Sequence, residues 1–253
     1  MRLYWVSMFF VCLLSTIFVS TALSTDIKVS RIGGVYQIWW EAEDFDERDP
    51  EEGYKLGEEA EKFNNQIKIT EGFYGTDVTM FPGESDRSNL KDWWGLYSFD
   101  LPADASPGTW YCWVRISFVG TSGDLESHHL WVLNDPGDGK TIPKTRPEGE
   151  IDDADDRLFA DVPDFVMGPE WAWHGRNTVM EGLDKELQAG NNVVMVWERE
   201  SGFDSVYMDV FMFANDIGYR PKDEDYQTAE PYTAVEPGGK LPILWGQIKL
   251  IER

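Results

Sequence analysis

Positively charged residues are scarce in this sequence. Its 253 residues include 22 Lys and Arg against 46 Asp and Glu, which gives a formal net charge of −24. Because phosphate groups are bound by clustered Lys and Arg, this balance opposes binding to nucleic acid or to an anionic membrane surface. It is compatible with neutral ligands and with divalent cations.

Cysteine is equally rare, with two residues in the chain. Cys12 lies in an apolar stretch near the N-terminus, so Cys112 has no partner for an internal disulfide. Cys112 lies in "TWYCWVRISF", where the alternation of large residues suggests a strand, and we expect a buried structural thiol there. Stability must then come from the hydrophobic core or from a bound metal.

Familiar catalytic motifs are also missing. The sequence contains no Gly-x-Ser-x-Gly, no His-Glu-x-x-His and no Gly-rich phosphate loop. Its three histidines, His128, His129 and His174, are too few and too dispersed for a catalytic zinc site. Two carboxylates could hydrolyse a glycosidic bond, but among 46 acidic residues such a pair arises easily by chance. We therefore predict a protein without catalytic residues and keep a glycoside-active enzyme as the less favoured alternative.

Residues 1–24 have the plan of a secretory signal peptide. A basic Arg2 precedes an apolar run, and the small residues Ala22 and Ser24 stand before the expected cleavage site. The apolar run is short for a bilayer span, and no basic stop-transfer cluster follows it. The sequence thus predicts a secreted or cell-surface protein whose mature chain begins near Thr25.

Short runs rich in Trp, Tyr, Phe and Val recur along the mature chain, with turn residues between them. Their period of two is typical of strands, as in "GVYQIWWEAEDF" and "NNVVMVWERE". Only residues 180–189 could form a helical turn or two, and residues 146–164 read as one long acidic loop. The pattern predicts an all-β fold, an antiparallel β-sandwich, over residues 25–221.

Residues 222–253 differ in character from the strands before them. They begin with charged residues, contain Pro231, Pro237 and Pro242, and end in "ILWGQIKLIER". We expect an extended C-terminal tail that packs on an edge of the sandwich through Leu244, Trp245 and Ile248. A recognition or attachment segment at the cell surface is the alternative.

Three segments resemble the carbohydrate-binding modules of families six and thirty-five. "YQIWWEAEDF" is similar to their first strand, "DLPADASPGTWYCWVRISF" to a middle passage, and "LQAGNNVVMVWERESGFDSVYMDVFMFANDIGYRP" to their closing segment. The resemblance extends over residues 35–221. It implies a jelly-roll sandwich, a structural Ca²⁺ and a polysaccharide or oligosaccharide ligand.

The Glu-Ala-Glu of the first strand suggests where an ion would bind. Residues two apart in a strand face the same side, so Glu41 and Glu43 project together and repel each other unless a hard cation such as Ca²⁺ lies between them. The resemblance implies that Asp209 of the last strand completes the site. Solvent-facing, unpaired glutamates are the alternative. Trp39 and Trp40, on opposite faces of the strand, are expected to be packing residues.

A sugar site requires an aromatic platform, because the C–H bonds of a sugar ring pack on an aromatic face. The best candidates lie in "GPEWAWHGRNT", where Trp171 and Trp173 share a face. Trp173, with His174 beside it, is the first choice for the exposed ring, while one of the two tryptophans could instead belong to the core. Trp93 is a second source of a platform.

Tyr207 would complete the group of ligand-binding residues. Modules of family six often carry an Asn at this place, two residues before the aspartate of the last strand, so this departure bears on the class of ligand. The sequence as a whole predicts a secreted, non-catalytic carbohydrate-binding protein. A structural or adhesive cell-surface protein on the same fold is the alternative.

Overall fold

The computed structural model describes residues 24–49, 55–56, 72–76, 79–80, 94–119, 128–134, 157–158, 168–175, 184–198 and 205–233. The expected signal peptide, apart from Ser24, and the second candidate platform, Trp93, lie outside these residues.

Two antiparallel sheets make up the described part of the chain. The nine-stranded sheet contains β1 (Lys28–Ile32), β2 (Val35–Glu41), β4 (Lys55–Leu56), β5 (Thr79–Met80), β7 (Gly108–Val119), β10 (Gly168–Gly175), β11 (Asp184–Leu187), β13 (Ser205–Ala214) and β14 (Glu230–Pro231). The five-stranded sheet contains β3 (Glu47–Asp49), β6 (Trp94–Leu101), β8 (His128–Val132), β9 (Arg157–Leu158) and β12 (Gly190–Glu198).

The chain crosses repeatedly from one sheet to the other. The order in the larger sheet is β10-β7-β13-β2-β1-β14, with β11 beside β7 and the β4–β5 pair beside β13; in the smaller sheet it is β3-β6-β12-β8-β9. Consecutive long strands such as β6 and β7, or β12 and β13, thus belong to opposite sheets. This confirms the expected antiparallel β-sandwich of the jelly-roll type.

An aromatic layer fills the space between the sheets. Trp40 of β2 is 1% exposed and stacks on Phe211 of β13, with ring centroids 5.4 Å apart. Tyr97 and Phe99 of β6 reach the same indole from the facing sheet. Alternation along the strands therefore places large aromatic side chains from both sheets in one core.

A second buried layer covers the outer face of the nine-stranded sheet. It contains Trp39, Trp113 and Met212, with Tyr226 from a short helix packed on them. Trp39 and Trp40 are thus both buried on opposite faces of β2, as predicted for packing residues. Trp94 and Leu96 lie together on the outer face of the five-stranded sheet and are also buried.

The prediction of a helical turn within residues 180–189 is wrong for residues 184–187, which form strand β11. Lys185 and Leu187 are buried while Asp184 and Glu186 are exposed, and the strand pairs with β7. This period of two is that of a strand. Pairing along β7 stabilises the extended chain against the helical preference of "DKEL".

The sandwich continues beyond the boundary expected at Pro221. Helix α1 (Asp223–Gln227) follows directly, and its Asp225 side chain accepts a hydrogen bond from the backbone N–H of Lys222. Strand β14 then pairs with β1, so this part of the expected extended tail is built into the sheet. The tail residues Leu244, Trp245 and Ile248 lie outside the described residues. In the described part of the chain, no helix has the length and apolarity to cross a membrane.

Cys112 is buried without a disulfide, and burial raises the pKa of its thiol to about 12, so the expected inert structural cysteine is confirmed. The long acidic loop contains strand β9, which pairs with β8. The remainder of that loop is not among the described residues.

Candidate functional site

The outer face of the nine-stranded sheet carries charged side chains as well as the apolar layer of Trp39, Trp113 and Met212. Val210 of β13 pairs with Glu41 of β2 on one side and with Arg115 of β7 on the other, and Arg115 pairs in turn with Trp173 of β10. A register shift in β13 between Met208 and Val210 falls on Asp209. Four adjacent strands therefore bring acidic, basic and aromatic groups to one surface.

Arg115 is the centre of this group and is 4% exposed. Its Nη1 donates hydrogen bonds to Oδ2 of Asp209 and, at 2.9 Å, to the carbonyl of Gly72. Its Nε and Nη2 donate to the two carboxylate oxygens of Asp223, at 3.0 and 2.9 Å. The guanidinium thus has two carboxylate partners, the bidentate one coming from helix α1.

Aromatic rings enclose the guanidinium of Arg115. It lies over the ring of Tyr74, 4.5 Å from the centroid, and over the ring of Trp171, 5.1 Å from the centroid. Trp173 packs edge-on against Trp39 and donates its Nε1–H to Asp223 at 2.8 Å. These contacts hold the cation by cation–π attraction as well as by hydrogen bonds.

Residues 72–76 approach the same surface. The backbone N–H of Tyr74 donates to Oδ1 of Asp209 at 2.9 Å, and that of Thr76 donates to Oε1 of Glu43 at 3.0 Å. A Cβ at Gly72 would lie 3.0 Å from the edge of Trp171. Residues 72–76 therefore pack closely on the part of the surface that carries Asp209, Glu43 and Trp171.

Glu41 and Glu43 meet at Gly75, as the spacing of the two residues suggested. A methyl group on Gly75 would lie 2.1 Å from Oε2 of Glu41 and 2.4 Å from Oε1 of Glu43, and the φ of +65° also favours glycine. Oε1 of Glu41 is bound by Lys28 at 2.9 Å and by the hydroxyl of Tyr226. The alternative of unpaired, solvent-facing glutamates is therefore wrong.

Asp209, the third expected metal ligand, has other partners. Its two oxygens accept hydrogen bonds from Arg115 and from the N–H of Tyr74, and its side chain is wholly buried. Among the residues that the structure describes, no three or more His, Cys, Asp or Glu side chains are arranged to hold a metal ion. In this structure, Asp209 is thus bound to Arg115 and to the backbone of Tyr74, whereas Glu41 and Glu43 meet at Gly75.

Burial and hydrogen bonds have opposite effects on the pKa values of the carboxylates in this site. Burial raises the pKa of Asp209 to about 7, against the opposing effect of Arg115 and the N–H of Tyr74. Burial acts in the same direction on Asp223, but there the hydrogen bonds from Arg115 and Trp173 outweigh it and lower the pKa. The pKa of Glu41 is lowered in the same way, because Tyr226 and Lys28 outweigh its burial.

The structure divides the four described candidates for sugar binding between two faces. Trp171 and Trp173 lie on the outer face and are partly exposed. Tyr207 pairs with Ser117 on the same face but is only 5% exposed. His174 pairs with Val114, whose side chain lies in the core between the sheets, and is 6% exposed. His174 therefore does not share the surface of the two tryptophans.

Sequence reasoning missed Arg115, Asp223, Tyr74 and Tyr226. A signal for Arg115 was present, because it is the one charged residue in the otherwise apolar and aromatic run "TWYCWVRISF". A charge in such a strand must be buried with a partner or face a polar site. Its partner Asp223 could not be identified from spacing, since 108 residues separate the two.

The buried His174 predicts a pH dependence of stability. Burial lowers the pKa of its imidazole, so at mildly acidic pH the unfolded chain binds a proton that the folded chain resists. The contribution is present above the pKa of the unfolded state, near 6.5, and is lost as the pH falls through the lower folded pKa. The raised pKa values of Asp209 and Asp44 act in the opposite direction over this range, so the test is a comparison of two proteins. We expect the free energy of unfolding of the wild type to decrease relative to that of His174→Gln between about pH 7.5 and 5. Equal slopes in denaturant titrations of the two proteins would contradict this assignment.

Of three comparisons with known proteins, the one with solved structures gives matches. No protein-family model matches the chain, and a comparison with curated proteins gives no match. Among solved structures, the chain is similar to Arthrobacter globiformis T6 isomalto-dextranase complexed with panose, with 13% sequence identity and a TM-score of 0.41. The match covers 73% of this chain and 24% of that one, so the chain spans about a quarter of the length of that protein.

Proposed function

We propose that this chain is a secreted, non-catalytic carbohydrate-binding protein that binds a polysaccharide or oligosaccharide on the outer face of its nine-stranded sheet. The observation that carries the proposal is the position of Trp171 and Trp173. Both indoles are partly exposed on one face, and they border the buried polar network of Arg115. Rigid aromatic rings beside fixed polar groups are what a sugar ring requires.

Polar groups at the edge of the two rings would fix the orientation of a sugar. The Asp223 side chain is 44% exposed and offers acceptor oxygens to hydroxyl groups next to Trp173. Arg115 holds Trp171 from one side through its guanidinium, so the ring is supported in place. Preorganised rings reduce the loss of side-chain entropy on binding.

Among the carboxylates that Arg115 and Lys28 bind on this face, none combines exposure to solvent with a raised pKa, which supports binding without catalysis. A glycosidase needs one accessible carboxyl group with a raised pKa and a second one facing it. Asp209 has the raised pKa but is completely buried, and Asp223 and Glu41 have lowered ones. Each of the three is bound to Arg115 or Lys28. We therefore expect no release of reducing sugar by the pure protein.

Replacing Trp171 with Ala should weaken glycan binding by about 1–3 kcal/mol, or roughly fivefold to 150-fold, because the variant loses an aromatic anchor. Titration calorimetry with the best glycan from a screen measures the change. Binding should persist at raised ionic strength, since stacking does not depend on charge. Trp131→Ala is a matched control, because Trp131 is also partly exposed but belongs to the facing sheet.

Three outcomes of this experiment would refute the assignment of the site. The first is a folded Trp171→Ala protein that binds with wild-type affinity. The second is an equal loss in Trp131→Ala, which would indicate a nonspecific effect or a site on the other sheet. In the third, Trp171→Ala unfolds early while its folded fraction binds normally, which would make the ring a core residue. Unfolding curves of all three proteins distinguish these results.

A structural Ca²⁺ is part of the proposed function. Glu41 and Glu43 would hold it, because their carboxylates meet at Gly75 and carboxylate oxygens are the ligands that Ca²⁺ prefers. Bound there, the ion would offset the repulsion of two like charges and fasten residues 72–76 to the end of β2. Asp209 stays with Arg115 in this arrangement.

We expect Ca²⁺ to raise the midpoint of thermal unfolding and a chelator to reverse the increase. At an ion concentration about a hundredfold above Kd, the stabilisation is about 3 kcal/mol if the unfolded chain does not bind the ion. Glu43→Gln should reduce the effect without changing the fold, whereas Asp100→Asn, on the exposed side of β6, should not. Scanning calorimetry measures the shift. An unfolding midpoint that chelator leaves unchanged would refute the ion site.

A further inference from the structure

The carboxylate of Asp223 occupies a site built from the sandwich. It accepts three hydrogen bonds at 2.8–3.0 Å, from Nε and Nη2 of Arg115 and from Nε1 of Trp173. Arg115 and Trp173 belong to paired strands of the nine-stranded sheet, while Asp223 belongs to the five-residue helix α1. One exposed acidic residue from outside the sheet therefore fills a site whose donors all come from the sheet.

The donors keep their positions by contacts that do not involve Asp223. Nη1 of Arg115 is held by Asp209 and by the carbonyl of Gly72, and its plane lies over Tyr74. Trp173 packs against Trp39. The Nε–Nη2 edge of Arg115 and the indole N–H of Trp173 would thus remain directed at one point if Asp223 withdrew. Preorganised bidentate donors of this kind recognise planar carboxylates.

Exposure indicates the direction from which a carboxylate reaches these donors. The side chain of Arg115 is 5% exposed, whereas that of Asp223 is 44% exposed. The open side of the site is therefore the side occupied by Asp223. A ligand approaching from solvent would meet the donors by replacing that side chain.

We infer that Arg115 and Trp173 form a carboxylate-binding site that Asp223 keeps closed, and that the carboxylate of an external ligand competes with Asp223 for it. The inference rests on the proposed function only in that both use the same face of the sheet. A tethered carboxylate competes at an effective concentration on the order of millimolar, so the wild-type protein binds small carboxylates weakly. Removing Asp223 removes that competitor.

Asp223→Ala should convert the closed site into an open one, and acetate is the probe. We expect the variant to unfold at a lower temperature than wild type and saturating acetate to raise its midpoint by about 2–4 °C or more. Acetamide, the neutral analogue of acetate, should not do so, nor should chloride at equal ionic strength. Acetate should bind at least roughly tenfold more tightly to the variant than to wild type, because the open state is no longer a minor one.

Asp225→Ala is the matched control. Asp225 lies on the same helix, where it bonds Tyr219 and the backbone of Lys222, so this variant perturbs α1 but keeps the carboxylate of Asp223. Acetate should leave the unfolding midpoint of this variant unchanged. Adding Trp173→Phe to Asp223→Ala removes the indole donor and should reduce the effect of acetate.

The proposal fails if acetate does not stabilise Asp223→Ala, or if acetamide or Asp225→Ala gives an equal effect. It also fails if the added Trp173→Phe leaves the effect of acetate intact. These results are separate from those on sugar binding, because acetate is not a sugar and Trp171 is not one of the donors. A protein that passes the acetate test while binding no glycan would refute the proposed function alone.

Discussion

Replacing Arg115 with Met should lower the free energy of unfolding by about 3–5 kcal/mol, because it leaves Asp209 buried without its cationic partner. Arg115 donates to Asp209, Asp223 and the carbonyl of Gly72 at once, and its side chain is 5% exposed. Met retains much of the apolar volume, so the loss reports the missing charge and hydrogen bonds. Urea titration followed by tryptophan fluorescence measures it.

Arg31→Met is the control for an exposed ion pair. Arg31 binds Asp104 at 2.8 Å, but the two side chains are 56% and 67% exposed. Exposed pairs contribute about 0–1 kcal/mol, so this variant should stay close to wild type. Adding Asp209→Asn to Arg115→Met should cost less than the sum of the single changes, since it removes the buried carboxyl group that has lost its partner. Equal losses in Arg115→Met and Arg31→Met would contradict the central role given to Arg115.

Trp40→Ala should also lower the free energy of unfolding by about 3–5 kcal/mol, through the cavity it leaves between the sheets. Trp40 stacks on Phe211 and contacts Tyr97 and Phe99 of the facing sheet, so its removal empties the centre of the core. Ile217→Ala is the control, because this large apolar side chain is 46% exposed. A loss below about 1 kcal/mol in Trp40→Ala would show that the two sheets do not depend on this ring.

The fold could be predicted because local pattern and tertiary structure agree along most strands. Trp39 and Trp40 show why, since the alternation of a strand places one on each face and both faces are covered. The same reasoning brought Glu41 and Glu43 to one side, where the structure has them meet at Gly75. Period-two spacing is a local property of the sequence, so it predicts which side chains share a face of a strand without knowledge of the strand's neighbours.

The remaining features depend on contacts between distant parts of the chain. Residues 184–187 have helical propensity, but pairing with β7 makes them a strand. Asp209 was expected to bind an ion with the two glutamates, whereas in the structure it accepts a hydrogen bond from Arg115, 94 residues away in sequence. Helix α1 was expected to be part of an extended tail, although the acidic first turn after Pro221 is a helix-start signal.

The two tryptophans of the outer face show where sequence reasoning about sites reaches its limit. Trp-x-Trp spacing predicted that Trp171 and Trp173 share a face, and both rings do contact the network of Arg115 and Asp223. Spacing could not tell that His174 faces the core, or that Trp173 donates its indole N–H to Asp223. Those features depend on which strand and which helix pack against β10.

The most direct test of carbohydrate binding on this face is to follow the indole N–H signals of the protein by nuclear magnetic resonance during titration with glycans. Signals assigned through Trp171→Phe, Trp173→Phe and Trp131→Phe identify the three rings. The proposed function predicts that a glycan shifts the signals of Trp171 and Trp173 in proportion to its binding and leaves that of Trp131 in place. A bound glycan that leaves Trp171 and Trp173 unchanged, or a broad glycan panel that shifts neither signal, would contradict it.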